Sequence, residues 1–227
     1  CTALATRAPI VIAPAMNDNM WSNPVTQENV AKLKKHGAVF VNPSYGKLAS
    51  GKTGLGMWAE LNDIYGITLK TLGRNGDLAH KHVVVTAGGT QEPVDPVRCL
   101  TNRSSGKMGY AIAEAARNRG AEVTLISGPT TLPKPAGIKC VNVNTAEEML
   151  EAVQEAVKRT DARIMAAAVA DFRPASPSGS KIKRQDLGSL SLQLEKTPDI
   201  LGQVKGEFIR VGFAAESDNV VENAVDK

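Results

Sequence analysis

The sequence is poor in aromatic residues, in cysteine and in histidine. Of its 227 residues only 4% are Phe, Trp or Tyr, and there are three Cys and three His. With so few aromatics, and no Lys/Arg run interleaved with them, a nucleic-acid surface is not expected. Cys1, Cys99 and Cys140 form no C-x-x-C pair. They indicate neither a disulfide framework nor a zinc site, and they suit a reducing, cytoplasmic setting. His36, His80 and His82 lack metal-ligand spacing and read as surface or linker residues. No apolar run approaches transmembrane length and no signal peptide is visible, so no membrane partner is expected.

What is present is ordinary for a globular chain: 42% hydrophobic and 22% charged residues. The net charge of +4 suits an anionic small substrate. The chain opens on Cys1 and runs at once into the strand-like "APIVIAPAM"; it stops at Lys227 soon after another strand. Both ends read as cut from a longer protein.

Apolar runs alternate with helical patterns. "IVIAP" (10–14) and "AVFVNP" (38–43) flank a helical 26–37 that ends at Gly37. A second series begins with "HVVVTAGG" (82–89). It continues through a helix at 107–120, strands at 122–128 and 138–143, a helix at 146–159 with Thr145 and Glu148 as a capping box, and strands at 163–170 and 208–216. Strands apolar throughout and separated by helices predict an α/β fold, a Rossmann-like parallel sheet with helices on both faces. The polar stretch "GITLKTLGRNGDLAHK" (66–81) is the expected boundary. It divides a partial α/β domain at 1–70 and a linker at 71–81 from a main domain at 82–227.

"GKLASGKTG" (46–54) matches the phosphate-loop pattern G-x-x-x-x-G-K-[ST]. A phosphate loop requires a helix opening at Lys52-Thr53, and Gly54 and Gly56 disfavour one. A glycine loop is the preferred reading. "VVVTAGGTQEPVDPVRCLTNRSSGKMGYAIAEAA" (83–116) is more informative. It lacks G-x-G-x-x-G, and Pro93 and Pro96 delay its helix until after "NRSSGKMG". Met108, Ala111, Ile112 and Ala115 form an apolar stripe there. Gly88, Gly89, Ser104, Ser105, Gly106 and Lys107 then form a candidate phosphate site, with free backbone N–H groups and a helix dipole at a strand end. Asp171 ends the next strand, at the sheet edge where ligands bind in such folds. "KIKR" (181–184) lies on a Ser/Gly/Lys-rich loop that suits a cationic clamp. "EKTPDILG" (195–202) reads as a short helix start with Thr197 as N-cap and Pro198 at the first position.

Together these pieces resemble the bifunctional phosphopantothenoylcysteine decarboxylase/phosphopantothenate–cysteine ligase family of coenzyme A biosynthesis. On the ligase side the likeness rests on "TAGGTQEPVDPVRCLTNRSSGKMG", "AAAVADFR", "KIKR", "KTPDI" and "VGFAAE"; on the decarboxylase side it rests on "PAMNDNMW" (14–21). The resemblance implies that 4′-phosphopantothenate is activated with CTP and Mg²⁺ to an acyl-cytidylate, which cysteine's amine converts to an amide. It implies catalytic roles for Asn102 and Lys181, and CTP contacts from Asp171, Lys181, Pro198, Asp199, Ile200, Leu201, Phe213 and Lys227. The metal ligands are left unassigned. The family carries a further lysine one helical turn beyond Lys227.

The resemblance also implies FMN-dependent decarboxylation of the ligated product, with most of the flavin-binding half upstream of Cys1. Asn17 stands at the family's substrate-carboxylate contact. "GKLASGKTG" aligns with its substrate flap. Ser50 stands where many members carry a cysteine that protonates an enethiol, and a hydroxyl is a far weaker acid. Met57 and Trp58 also depart from the flap pattern. A homodimer through the ligase domain, and a higher homo-oligomer of the full protein, are implied by resemblance. Two other readings stay open on the residues alone. One is an NAD(P)-dependent Rossmann oxidoreductase, which the missing G-x-G-x-x-G opposes; the other is a nucleotide-sensing module without catalysis.

Overall fold

A computed structural model describes residues 2–183 and 189–214. The chain divides into two compact units. One comprises Cys1–Ala79 with Arg117–Gly120 and Pro135–Gly137; the other comprises His80–Ala116, Ala121–Lys134 and Ile138–Lys227. Among the described residues no helix is long and apolar enough to cross a membrane.

In the first unit, α1 (Thr2–Ala5) precedes β1 (Val11–Ile12), α2 (Asp18–Ser22), α3 (Pro24–Lys35), β2 (Val39–Phe40), β3 (Ser44–Lys47), β4 (Thr53–Met57) and α4 (Leu61–Gly73). β1 and β2 pair in parallel, Val11 with Val39 and Ile12 with Phe40, around the crossover helix α3. α3 starts earlier than its apolar spacing suggests. Asn23 caps it by accepting from the Val25 N–H at 3.0 Å, and Pro24 fills the first position, where its missing N–H costs nothing. It ends where expected: Gly37 has φ +92°, the left-handed conformation that terminates a helix without a β-carbon penalty. α4 runs to Gly73, so the first half of the 66–81 stretch is helical.

The second unit is built on a parallel sheet of five strands. Its elements are β5 (His82–Ala87), β6 (Gln91–Pro93), β7 (Cys99–Thr101), α5 (Lys107–Asn118, its last two residues counted with the first unit), β8 (Glu122–Ser127), β9 (Lys139–Asn142), α6 (Ala146–Ala156), β10 (Ala162–Met165), β11 (Phe172–Pro174), β12 (Leu194–Lys196), α7 (Ile200–Gln203) and β13 (Ile209–Gly212). The strand order is β13-β10-β5-β8-β9. The first strand, β5, lies at the centre and the chain winds outward first one way, then the other. This is the doubly wound arrangement, and its reversal of direction falls between β5 and β10.

The core of this unit gathers Val84, Ile126, Met149, Val153, Met165, Ile200 and Val204, each buried. On α6 the buried side chains are Ala146, Met149, Leu150 and Val153, one face of a 3.6-residue period. The α6 capping is divided between neighbours. Glu148 N–H donates to Thr145 Oγ1, as in a capping box, but the Glu148 carboxylate accepts from the Asn144 N–H, one residue earlier than the motif prescribes. α6 gives way to a 3₁₀ turn at Val157–Arg159, short of the expected α-helical end.

Three further expectations are corrected. Within the second unit the buried residues of α5 are Gly109, Ala113 and Ala116, one residue out of step with the Met108/Ala111/Ile112/Ala115 stripe. Small residues take that face because the helix sits tight on β5: a β-carbon at Gly109 would lie 2.6 Å from Ala87 Cβ. Met108 is left 47% exposed. β10 stops at Met165 rather than Ala170; beyond it Ala168 keeps a bridge to Gly89. His82 is no linker residue. It opens β5, and its ring nitrogens lie 3.0 Å from the Arg159 carbonyl and 3.0 Å from Thr124 Oγ1.

Candidate active site

The C-terminal ends of β5 and β10 bring the glycine-rich stretch and the helix start together. β5 leaves the sheet through Gly88 (φ +76°), where a β-carbon would lie 3.0 Å from the Gly128 carbonyl oxygen. Gly106 (φ +74°) immediately precedes α5; its β-carbon would lie 3.3 Å from the Gly88 nitrogen. Gly88 and Gly106 therefore meet backbone to backbone, and Ser104–Lys107 stands over the end of β5. The N–H groups here are not all free. Ser104 Oγ accepts from Gly106 N–H at 3.3 Å and Ser105 Oγ from Lys107 N–H at 3.5 Å. These contacts are long for N–H···O bonds, so an anion with shorter geometry can replace them. Ser104, Ser105 and Lys107 are exposed. The twelve-residue α5 turns its positive dipole end toward this place.

The chain leaving β10 is laced to the same edge. Ala168 N–H donates to the Gly88 carbonyl at 2.8 Å, and Ala170 N–H to Thr90 Oγ1 at 2.9 Å. Thr101 Oγ1 donates to the Thr90 carbonyl at 2.7 Å. Asn102 Nδ2 donates to the Val169 carbonyl at 2.8 Å, which fixes the carboxamide across the two loops. The second Nδ2 hydrogen is a donor beyond that bond. Asp171 follows, exposed at the edge.

The 197–201 segment is hooked to this end of β10. Thr197 N–H donates to the Asp171 carbonyl at 3.0 Å, and Thr197 Oγ1 to the Ala170 carbonyl at 2.5 Å. Thr197 is thus not a helix cap. Asp199 is, accepting from Gly202 N–H at 3.0 Å, and Pro198 precedes the cap. Asp171, Pro198, Asp199, Ile200 and Leu201 are in this way gathered on one side of the β10 end. Phe213 follows β13, whose last residue Gly212 pairs with Met165, and its ring is 53% exposed.

Lys181 is exposed on a loop tied to the β6–β7 turn. Ser178 N–H donates to the Val94 carbonyl at 2.9 Å, Ile182 N–H to Asp95 Oδ2 at 3.2 Å, and Arg98 Nη2 to the Ile182 carbonyl at 3.3 Å. The anchor is Asp95. Burial pushes its carboxyl pKa up, but the N–H groups of Val97, Ile182 and Arg98 and the Arg98 charge outweigh that and hold it below the usual carboxylate range. Reading the sequence missed Asp95. Its signal was the Asp-Pro step of "PVDPVR", where the side chain accepts from Val97 and Arg98 N–H at 2.8 Å each, an Asx turn. Buried Glu92 was also missed; its Oε1 accepts from Ala146 N–H at 2.9 Å and caps α6 from across the unit, and it has no sequence signature. Arg184 and Lys227 lie outside the described residues.

The first unit has a site of its own. "GKLASGKTG" is an antiparallel hairpin: β3 pairs with β4, Lys47 opposite Thr53 and Gly46 opposite Gly54, with Gly51 (φ +81°) in the turn. A strand, not a helix, begins at Thr53, which rules out a phosphate loop. The hairpin closes against the 15–17 loop. Met16 N–H donates to the Gly56 carbonyl at 2.9 Å, and a cleft of about 350 Å³ opens between Asn17, Ser50, Met57 and Trp58. Asn17 Oδ1 caps α2 by accepting from Asn19 N–H at 3.0 Å. That bond leaves the Asn17 Nδ2 group as a donor.

Comparison with known proteins bears on both units. Residues 78–227 match the family described as DNA/pantothenate metabolism flavoprotein C-terminal domain, and residues 1–73 match the Flavoprotein family. The coenzyme A biosynthesis bifunctional protein CoaBC of Mycobacterium tuberculosis is 43% identical over 230 residues, covering 95% of this chain and 55% of the relative. The Bacillus subtilis protein of that name is 45% identical over 232 residues, 100% of this chain and 57% of the relative. The chain thus spans about half the length of the curated relatives it matches. A crystal structure of the C-terminal domain of such a CoaBC protein is 47% identical and aligns with a TM-score of 0.58, over 66% of this chain and 72% of that one.

Proposed function

Because the chain belongs to the DNA/pantothenate metabolism flavoprotein family, we propose that the protein carrying it joins 4′-phosphopantothenate to cysteine with CTP, and that its flavoprotein part decarboxylates the product. The relatives' role in coenzyme A biosynthesis motivates the reading. The observation that carries it is the crowding of Gly88, Gly89, Asn102, Ser104–Lys107 and Asp171 around the ends of β5 and β10. These two strands flank the point where strand order reverses, the crevice in which doubly wound sheets bind ligands.

The substrate phosphate sits on the N-terminus of α5, against the Ser104 and Ser105 hydroxyls and Lys107. The pantothenate carboxylate attacks the α-phosphorus of CTP, and pyrophosphate leaves. The segment Pro198–Leu201 and the Phe213 ring receive the nucleoside, with Asp171 beside them and Lys181 and Lys227 on the phosphates. Mg²⁺, when bound, would supply charge that neutralises the triphosphate. Among the described residues no group of three or more His, Cys, Asp or Glu is placed to hold a metal, which suits an ion whose ligands are mainly phosphate oxygens and water. Asn102 donates its second Nδ2 hydrogen to the acyl oxygen as cysteine's amine adds to the carbonyl carbon and CMP leaves.

In the first unit, Asn17 holds the carboxylate of the ligated product and the 46–54 hairpin covers it. FMN, when bound, supplies the oxidation of the thiol end that lets CO₂ leave. Ser50 faces the same cleft as a hydroxyl, so it positions or hydrogen-bonds rather than serving as a strong acid.

The test uses the full protein with 4′-phosphopantothenate, cysteine, Mg²⁺ and either CTP or ATP. Pyrophosphate and the amide are expected in equal amounts with CTP. Absence of pyrophosphate with every nucleotide overturns the proposal.

A further inference from the structure

Arg163 occupies the middle of β10, in register with Val84 on one side and Arg210 on the other, and it is fully buried. Its guanidinium reaches α7. Nη1 donates to the Val204 carbonyl at 2.8 Å and lies 3.4 Å from the Ile200 carbonyl, while Nη2 donates to the Leu201 carbonyl at 3.1 Å. The guanidinium carbon stands 5.4 Å from the centre of the Phe208 ring. Among the described residues Nε is buried with no hydrogen-bond partner. Among the described residues, then, its hydrogen-bond acceptors are neutral carbonyls. Burial, reinforced by Arg210, pushes the pKa of the group down, against the pull of Asp199.

Such a residue is a poor device for stability. A buried cation without a carboxylate partner carries a desolvation cost that an aliphatic side chain on the same strand does not. What the guanidinium does supply is geometry. α7 is a single turn, too short to hold its own conformation, and the backbone bond that closes it, from Val204 N–H to the Ile200 carbonyl, is a long 3.3 Å. Asp199 fixes its N-terminal end, and Thr197 hooks the chain before it to the Ala170 carbonyl, beyond the end of β10. Arg163 fixes the other end from the core, through three carbonyls at once.

We infer that Arg163 is a positioning residue for the nucleotide: its fork of donors sets the Asp199–Val204 turn so that Asp199, Ile200 and Leu201 meet the nucleoside triphosphate in one preformed arrangement. The inference rests on the proposed nucleotide site at Pro198–Leu201. Loss of the fork leaves the turn to be ordered by the nucleotide itself, which weakens nucleotide binding without touching the phosphopantothenate site.

The experiment compares Arg163→Met, of similar length without donors, and Arg163→Lys, which keeps one cationic donor group, in the full protein. KM for CTP, KM for 4′-phosphopantothenate and kcat of pyrophosphate release are measured for each. Arg163→Met is expected to raise the CTP KM about tenfold and to leave the phosphopantothenate KM within about twofold, with Arg163→Lys between it and the wild type. A purely structural role lowers the amount of active enzyme, and hence kcat, while leaving both KM values in place; that result overturns the inference, as does an equal rise in both. If Arg163→Met does not fold, Arg163→Lys decides, and an unchanged CTP KM overturns the inference. Wild-type protein that releases no pyrophosphate with any nucleotide overturns the functional reading itself, a result obtained before any variant is made.

Discussion

The hairpin at 46–54 and the sheet edge at 88–109 are both rich in glycine, and glycine serves a different end in each. In the hairpin, Gly51 supplies a left-handed turn residue with open space around it: a β-carbon there would have nothing within 4 Å. At the sheet edge, Gly88 and Gly106 combine left-handed backbone with close backbone neighbours, and Gly109 lets a helix rest directly on a strand. The first stretch matches a phosphate-loop pattern and lacks its context. The second matches no such pattern, and it combines a strand end, a helix N-terminus and two backbones in close approach, the features on which the proposed phosphate site rests. The number and order of glycines therefore say less about phosphate binding than what each missing side chain makes room for.

The sharpest way to break this contrast is Gly109→Val. Its side chain would collide with Ala87 Cβ and with the Thr86 carbonyl at 2.7 Å, both held in the central strand. A loss of about 3 kcal/mol, the upper end for overpacking, is expected in thermal or denaturant unfolding. A melting temperature unchanged from wild type would show that α5 does not sit tight on β5. Next is Asn102→Ala, which removes the donor proposed for the acyl oxygen. Amide formation should fall roughly 100-fold, the low end for an oxyanion donor, while CTP binding changes little. Equal losses in both would remove Asn102 from that role.

The paired substitutions Gly88→Ala and Gly51→Ala test the comparison directly. Both positions have positive φ, so both carry a strain of about 1 kcal/mol. Only Gly88 adds a contact, with the Gly128 carbonyl, and about 2 kcal/mol in total is expected there. Equal effects would mean the sheet edge yields as freely as the hairpin turn. The smallest effect concerns Asp95, the anchor of the Lys181 loop. Its folded pKa is lowered, so its stabilisation is present above the unfolded carboxylate value of about 3.9 and is lost as pH falls through the lower folded value. Asp95→Asn should therefore lower the melting temperature at pH 7 and flatten its decline between pH 5 and pH 2. An unchanged acid limb would show that another carboxylate sets it.

Much of the fold can be read from local pattern. β5 and β8 are apolar runs, α6 has a clean 3.6-residue face, and Gly37 ends α3 because only a residue without a β-carbon is comfortable at φ +92°. The arm of β11 and β12 was not legible. Its strands have three residues each and β12 is wholly exposed, so neither periodicity nor hydrophobicity marks them. The candidate site was legible as residue types along the chain and not as an arrangement. Asn102 and Val169 are 67 positions apart, and no local preference anticipates their hydrogen bond.

The sequence by itself determined the longer elements, such as β5, β8 and α6, because hydrophobic period and backbone strain act on each residue where it stands. It also carried the long signatures by which the chain is placed in its family. The tertiary structure alone decided the rest: that the strand order reverses between β5 and β10, that Gly106 meets Gly88, and that the one buried arginine of β10 holds the turn at 199–204. Each of these is a contact between residues far apart in the chain, with an energy that exists only once the sheet has brought them together.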